Sequence, residues 1–229
     1  MVTIRWAAAA TLLAFLAVAA LGCSSSTAPG QSLTPAITAP EGAADLRGLL
    51  LTGDQLRQAG LPADLRTVPD DQVSSYENPD PRGPCGAPMD AHELYSGGIR
   101  YHAAATVLAF EAVGRATNER AEQLMDAVVA DVTPRCPEFI SRTNTGVDQA
   151  NHFGAPIDLS GLGDQAVGWQ STVTVQDQHA HGYIGMVRKG DTIVTLVLVA
   201  PTLLDISVVR HAVQAAADQL SSATTTTSV

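Results

Sequence analysis

QAVGWQSTVTVQDQHAHGYIGMVRKGDTIVTLVLV, residues 165–199, decides the fold. Its first third has a period of two: Val167, Trp169, Ser171, Val173 and Val175 alternate with Gly168, Gln170, Thr172, Thr174 and Gln176. Successive strand side chains point to opposite faces, so the pattern predicts a half-buried strand. His181 to Arg188 predicts a second strand, and Lys189-Gly190-Asp191 a tight turn after it. Thr192 to Val199, TIVTLVLV, is apolar at odd and even positions alike. It therefore predicts a central strand covered by helices. Consecutive hairpin strands imply an antiparallel sheet, with helices packed on one side of it: an α+β fold.

The flanking segments supply the helices. Thr52 can cap a short helix within TGDQLRQAG, with Leu56 on its apolar face and Gly60 as its stop. Thr117 to Val132 places Ala121, Leu124, Met125, Val128, Val129 and Val132 on one face at helical spacing, capped by Thr117 or Asn118 and ended by Pro134. Asp205 opens a last helix to Leu220 that is expected to bury Ile206, Val209, Val213, Ala216, Ala217 and Leu220. Tyr101 to Val113 predicts one long strand, Glu138 to Thr143 another, and Val73–Tyr76 a short one in a proline-rich loop. One domain over residues 46–220 accounts for these elements.

The 229 residues are 45% hydrophobic and 16% charged, enough to bury a core, and carry a net charge of -10. An acidic chain without a basic run lacks the cations that replace counterions on nucleic acid. No nucleic-acid partner is expected.

The N-terminus reads as an export signal over residues 1–22. Arg5 precedes an apolar run from Ala7 to Leu21, of signal-peptide length and short for a membrane span. Ala20-Leu21-Gly22-Cys23 resembles a bacterial lipobox, although Ala20 stands where Leu is usual. That resemblance implies cleavage before Cys23 and diacylglycerol on its thiol. Each buried lipid methylene contributes about 0.8 kcal/mol, so two or more acyl chains anchor stably where one does not. The alternatives are an ordinary cleaved signal and an uncleaved anchor. Residues 23–45 would be the lipidated cysteine and a Ser/Thr/Pro-rich tether, and residues 221–229 a low-complexity tail. The expected location is the extracytoplasmic face of the cell membrane. Two cysteines remain, Cys85 and Cys136. In an oxidising compartment they are expected to pair as a disulfide, closing a loop of about 50 residues.

Catalytic patterns are missing from the sequence. Gly161-Leu162-Gly163-Asp164-Gln165-Ala166 matches the dinucleotide fingerprint in letters, but a strand follows it where a helix is required. It reads as a glycine-rich turn, and no cofactor is expected. His179 and His181 would share a strand face and are the candidate ligands for a metal ion, with Asp177 as a possible third. His102 and His152 lie beside apolar positions and read as satisfied structural histidines, His92 and His211 as surface residues. No nucleophile elbow, zinc-protease motif or Ser-x-x-Lys occurs.

The pieces LLLTGDQLRQAGL, GPCGAP, the amphipathic helix ending in TPRCPEF, GLGDQAVGWQ, VRKGDTIVTLVLV and AVQAAADQL, in this order, resemble the PknH-like sensor (extracellular) domain family of actinobacteria. Its members are ectodomains of receptor serine/threonine kinases and stand-alone lipoproteins. The resemblance spans roughly Leu46 to Leu220 and implies a sheet flanked by helices, with a cleft for an unidentified ligand. Family members often carry two disulfides and a tryptophan before the second of their cysteines. Here only Cys85 and Cys136 can pair, and Arg135 precedes Cys136. The expected function is a non-enzymatic module binding a small ligand or an envelope partner. Trp169, Tyr183 and Phe110 are its candidate ligand contacts. The alternatives are a cell-envelope hydrolase or metal-binding protein, and an envelope scaffold.

Overall fold

The structure, a computed structural model, describes residues 46–69, 97–132, 138–142, 148–175 and 178–226. Cys23, Cys85, Cys136, Asp177 and the expected strand at Val73–Tyr76 lie outside these residues, as do the signal segment, the tether and the last three residues.

A 3-10 turn at Arg47–Leu49 leads to α1 (Gly53–Gln58) and the two-residue strand β1 (Arg66–Thr67). Then come β2 (Gly98–Ala103), β3 (Leu108–Arg115), α2 (Asn118–Val132), β4 (Glu138–Arg142) and β5 (Asp148–Pro156). The chain closes with β6 (Gln165–Val175), β7 (Gln178–Lys189), β8 (Thr192–Ala200) and α3 (Ile206–Thr226). The strands form one eight-stranded sheet in the order β1-β2-β3-β8-β7-β6-β5-β4, every pair antiparallel.

The doubly apolar strand β8 sits inside the sheet, as its sequence requires. Val194, Leu196 and Leu198 face α3, packing with Val209, Val213 and Ala216 and with Leu51, Leu56 and Leu61 from the N-terminal segment. Ile193 faces the other way and joins Met186, Trp169 and Phe153 under Ala121, Leu124 and Met125 of α2. The helices therefore cover both faces of the sheet, not one. A strand apolar on both faces needs that arrangement, since either face left open would expose a row of aliphatic side chains.

Two further expectations are corrected. The single strand expected from Tyr101 to Val113 is a hairpin of β2 and β3. Its turn, Ala104 to Val107, contains no Gly, Pro or Asn. It is held instead from a distance, with the Ala105 N–H donating to Asp64 Oδ2 at 3.0 Å. The last helix runs on to Thr226, past the Leu220 limit.

Val129 and Ile206, expected on apolar helix faces, are exposed, whereas the signals around α1 and the glycine-rich turn act as read. Thr52 forms a full capping box with Gln55, and Gly60 ends α1 at φ 103°. Thr52→Ala is expected to lower stability by about 1 kcal/mol, measured by urea unfolding. The glycine-rich turn feeds β6. Its Asp164 accepts from the Gly190 N–H at 2.7 Å and from Lys189 Nζ at 3.2 Å, and the Gly190 bond above all holds the carboxyl below the usual range. Gly163 sits at φ 64°, and a Cβ there would meet the Arg188 carbonyl oxygen at 2.5 Å. Gly163→Ala combines left-handed strain with a backbone clash, and a loss of about 3 kcal/mol is expected in the same assay.

Candidate functional site

Cross-strand register places Tyr101 opposite Phe110, Phe110 opposite Val197, Val197 opposite Ile184, and Ile184 opposite Trp169. Directly paired residues share a sheet face, so these five form one apolar row across β2, β3, β8, β7 and β6. Aromatic rings stand at both ends. Tyr101 packs on Phe110 with centroids 5.0 Å apart, and Trp169 meets Phe153 edge-on at 6.4 Å. Between them Val197 and Ile184 are half-buried, as is Phe110. Two residues along β8 from Val197 on the same face, the buried Thr195 hydroxyl has no hydrogen-bond partner. The row thus offers half-buried apolar surface at Phe110, Val197 and Ile184, while Tyr101, Trp169 and the Thr195 hydroxyl are buried beside it. Such a surface suits an apolar ligand.

Two of the candidate ligand contacts, Trp169 and Phe110, lie in this row. The third does not. Tyr183 pairs with Leu198 on the opposite face, buried in the α3 core, where its hydroxyl accepts from the Leu204 N–H at 2.7 Å. Strand parity separates them: Trp169 is register partner to Ile184, one residue past Tyr183, so the two aromatics point apart.

His179 and His181 do share one face of β7, opposite Thr174 and Thr172. The Nδ1 of His179 is taken by the Thr174 hydroxyl at 2.9 Å. His152 faces the same side from β5 but is exposed, and its Nδ1 meets Glu138 at 3.2 Å rather than a structural partner in the core. Among the described residues no three His, Cys, Asp or Glu side chains are grouped to hold a metal ion.

A second polar feature lies on the α3 face. Arg100, His102 and Glu111 stand on β2 and β3 beneath residues 46–51, and His102 and Glu111 are fully buried. Arg100 is register partner to Glu111, yet its guanidinium turns to the overlying backbone. Nη1 donates to the carbonyls of Leu50 at 2.6 Å and Leu51 at 2.9 Å, and Nη2 to that of Arg47 at 3.2 Å. Glu111 Oε2 accepts from the Leu51 N–H at 2.7 Å, while its Oε1 has no partner. His102 Nδ1 meets the Thr67 hydroxyl at 3.2 Å, and its Nε2 has no partner.

Burial pushes Glu111 up to about 8, against the Leu51 N–H bond and the Arg100 charge, which both favour the carboxylate. Burial, then the Arg100 charge, press His102 down to about 4, against a backbone bond with Leu51 that favours the charged ring. Both side chains are neutral near pH 7. Glu111 was visible in the sequence as the single charge in VLAFEAV, but nothing local shows that its partner is an amide 60 residues earlier.

Fold and surface together define an α+β module: one antiparallel sheet with helices on both faces and a half-buried apolar row on one of them. A solved structure shares this architecture. The chain is similar to the extracellular domain of PknH from Mycobacterium tuberculosis, with a TM-score of 0.50 and 11% identity over 76% of this chain and 94% of that one. At this identity the likeness is one of fold. No family model matches the sequence, and no curated protein matches it either. Among the described residues no helix is long and apolar enough to cross a membrane.

Proposed function

We propose that this chain is an extracytoplasmic lipoprotein whose folded part is a non-enzymatic, sensor-like domain of the PknH-like kind, binding a small apolar or amphiphilic ligand. The observation that carries this reading is the fold shared with an extracellular domain. The row from Phe110 to Trp169 supplies the ligand surface, through its half-buried members Phe110, Val197 and Ile184. Cys23 carries the lipid that holds the chain at the membrane, residues 24–45 are the tether, and Cys85 bonds Cys136. An envelope protein seated on the same row is the alternative occupant.

The anchor and the cross-link are tested on the full chain expressed in an actinobacterial host. Intact mass of the membrane fraction is expected to show a chain beginning at Cys23 with added diacylglycerol, and a gain of about 2 Da on reduction. Cys23→Ser is expected to move the protein out of the membrane fraction. An unlipidated chain that remains membrane-bound, or a mass unchanged by reductant, would overturn the corresponding part.

A further inference from the structure

We propose that residues 46–51 form a releasable strap whose closure on the sheet requires Glu111 as the neutral acid, so that the entry to the domain loosens as its surroundings turn alkaline. Few polar groups hold the strap to the sheet, while Leu51 at its end is buried in the main core with β8 and α3. Leu46 donates its N–H to the Gly97 carbonyl at 2.9 Å, and Leu46 and Leu50 pack on Val113. Arg100 grips three strap carbonyls, and Glu111 takes the Leu51 N–H. From α3, Gln219 reaches the Gly48 carbonyl at 3.3 Å.

The surroundings of Glu111 are short of partners for a buried carboxylate. The side chain is sealed from solvent and receives a single donor. A buried carboxylate needs several donors or a paired cation. The charged groups around it are few. From β2 come Arg100, committed to the strap carbonyls, and His102, which is neutral. β8 presents the apolar Leu196 at the paired position. The strap's own Arg47 is exposed, and on α1 Arg57 pairs with Asp54. On α3, Asp218 is bonded by Gln214. Lifting the strap uncovers Glu111, and the uncovered carboxyl ionises as an ordinary glutamate.

The sign follows from linkage. Glu111 holds its proton up to about pH 8 when covered and up to about 4.5 when uncovered. Between those values the closed state binds one more proton, so each pH unit favours opening by close to tenfold. His102, whose uncovered value is 6.5, opposes this at lower pH, and above 6.5 that opposition fades. Opening then adds six residues, about 20 Å of extended chain, to the segment that leads into the domain.

The test is amide hydrogen exchange on the full chain, each rate divided by its intrinsic rate at the same pH. Protection of the Leu51 N–H is expected to fall about tenfold from pH 6.5 to 8 in the native protein, while amides in the β7–β8 ladder keep theirs. In Glu111→Gln, Leu51 protection is expected to be level over that range. Protection level in the native protein, or falling equally in Glu111→Gln or across the ladder, overturns the proposal. Should Glu111→Gln fail to fold, the infrared carbonyl band of a protonated carboxyl decides on the native chain. It must be present at pH 6.5 and bleach above pH 8 as Leu51 loses protection. Its absence at pH 6.5, or its bleaching with Leu51 unchanged, overturns the proposal as well.

Discussion

Glu111→Gln is expected to gain about 3 kcal/mol of stability as pH rises from 4 to 7, whereas a His102→Asn variant is expected to lose about 4 kcal/mol from pH 4.5 to 8. The native protein should show neither slope in full. His102 has its folded pKa depressed, to about 4 from 6.5, so its unfolded form takes up a proton first as pH falls. Stability from keeping it neutral is intact above 6.5 and is lost on acidification toward 4. Glu111 has its folded pKa raised, to about 8 from 4.5. Its contribution is intact below 4.5 and is lost as pH rises toward 8. Across the overlap, pH 4.5 to 6.5, the two slopes are opposite and nearly equal. The native profile is therefore expected to be level there and to fall by roughly 1–2 kcal/mol toward pH 8. Each single substitution removes one slope and exposes the other. Asp158, Asp164 and Asp205, all held below the usual carboxylate range mainly by local hydrogen bonds, act only at more acid pH. Urea unfolding at half-unit pH steps reads all three profiles. Two single variants with parallel profiles would refute the opposed pair.

Arg100→Met carries the second large effect, a loss of about 3 kcal/mol at pH 7. Three strap carbonyls lose a charged donor at once, those of Leu50 and Leu51 at 2.6 and 2.9 Å. A buried acceptor left unpaired costs about 1–3 kcal/mol. Arg100→Lys is expected to recover only part of this, because one ammonium cannot reproduce a planar fork spread over three acceptors. A second signature separates this from plain loss of packing. The Arg100 charge lowers both Glu111 and His102, so its removal moves both upward. The protonated-carboxyl infrared band is then expected to persist to higher pH in Arg100→Met than in the native chain. An unmoved band would mean that Arg100 contributes packing alone.

The antiparallel core of the fold was legible because its signals are local. Alternation marks β6, the Lys189-Gly190-Asp191 turn marks the hairpin, and two-sided apolarity marks β8 as interior. Thr117 as a cap is visible too, and Arg120 N does bond its hydroxyl at 3.2 Å. The β2–β3 turn was hidden because Asp64, outside the hairpin, holds it. Strand β5 was hidden because DQANHFGAP has no clean alternation and takes its order from β4 and β6 on either side. Of the candidate site, Trp169 and Phe110 were legible as amphipathic aromatics. Which face each takes was not, because parity across four strands depends on register, and that is how Tyr183 fell on the wrong side. The Arg100–His102–Glu111 cluster was illegible as a unit. Its residues are brought together by pairing of β2 with β3 and by a strap about 50 residues earlier in sequence.

The binding reading stands or falls on whether the apolar row takes up a molecule. Native mass spectrometry of the full chain expressed in an actinobacterial host tests this directly. The account predicts an adduct of defined small mass on the native protein, lost or weakened in Val197→Asp, which places a charge in the centre of the row. A bare native mass with a stable protein complex recovered by cross-linking would contradict the small-ligand reading and hand the row to an envelope partner.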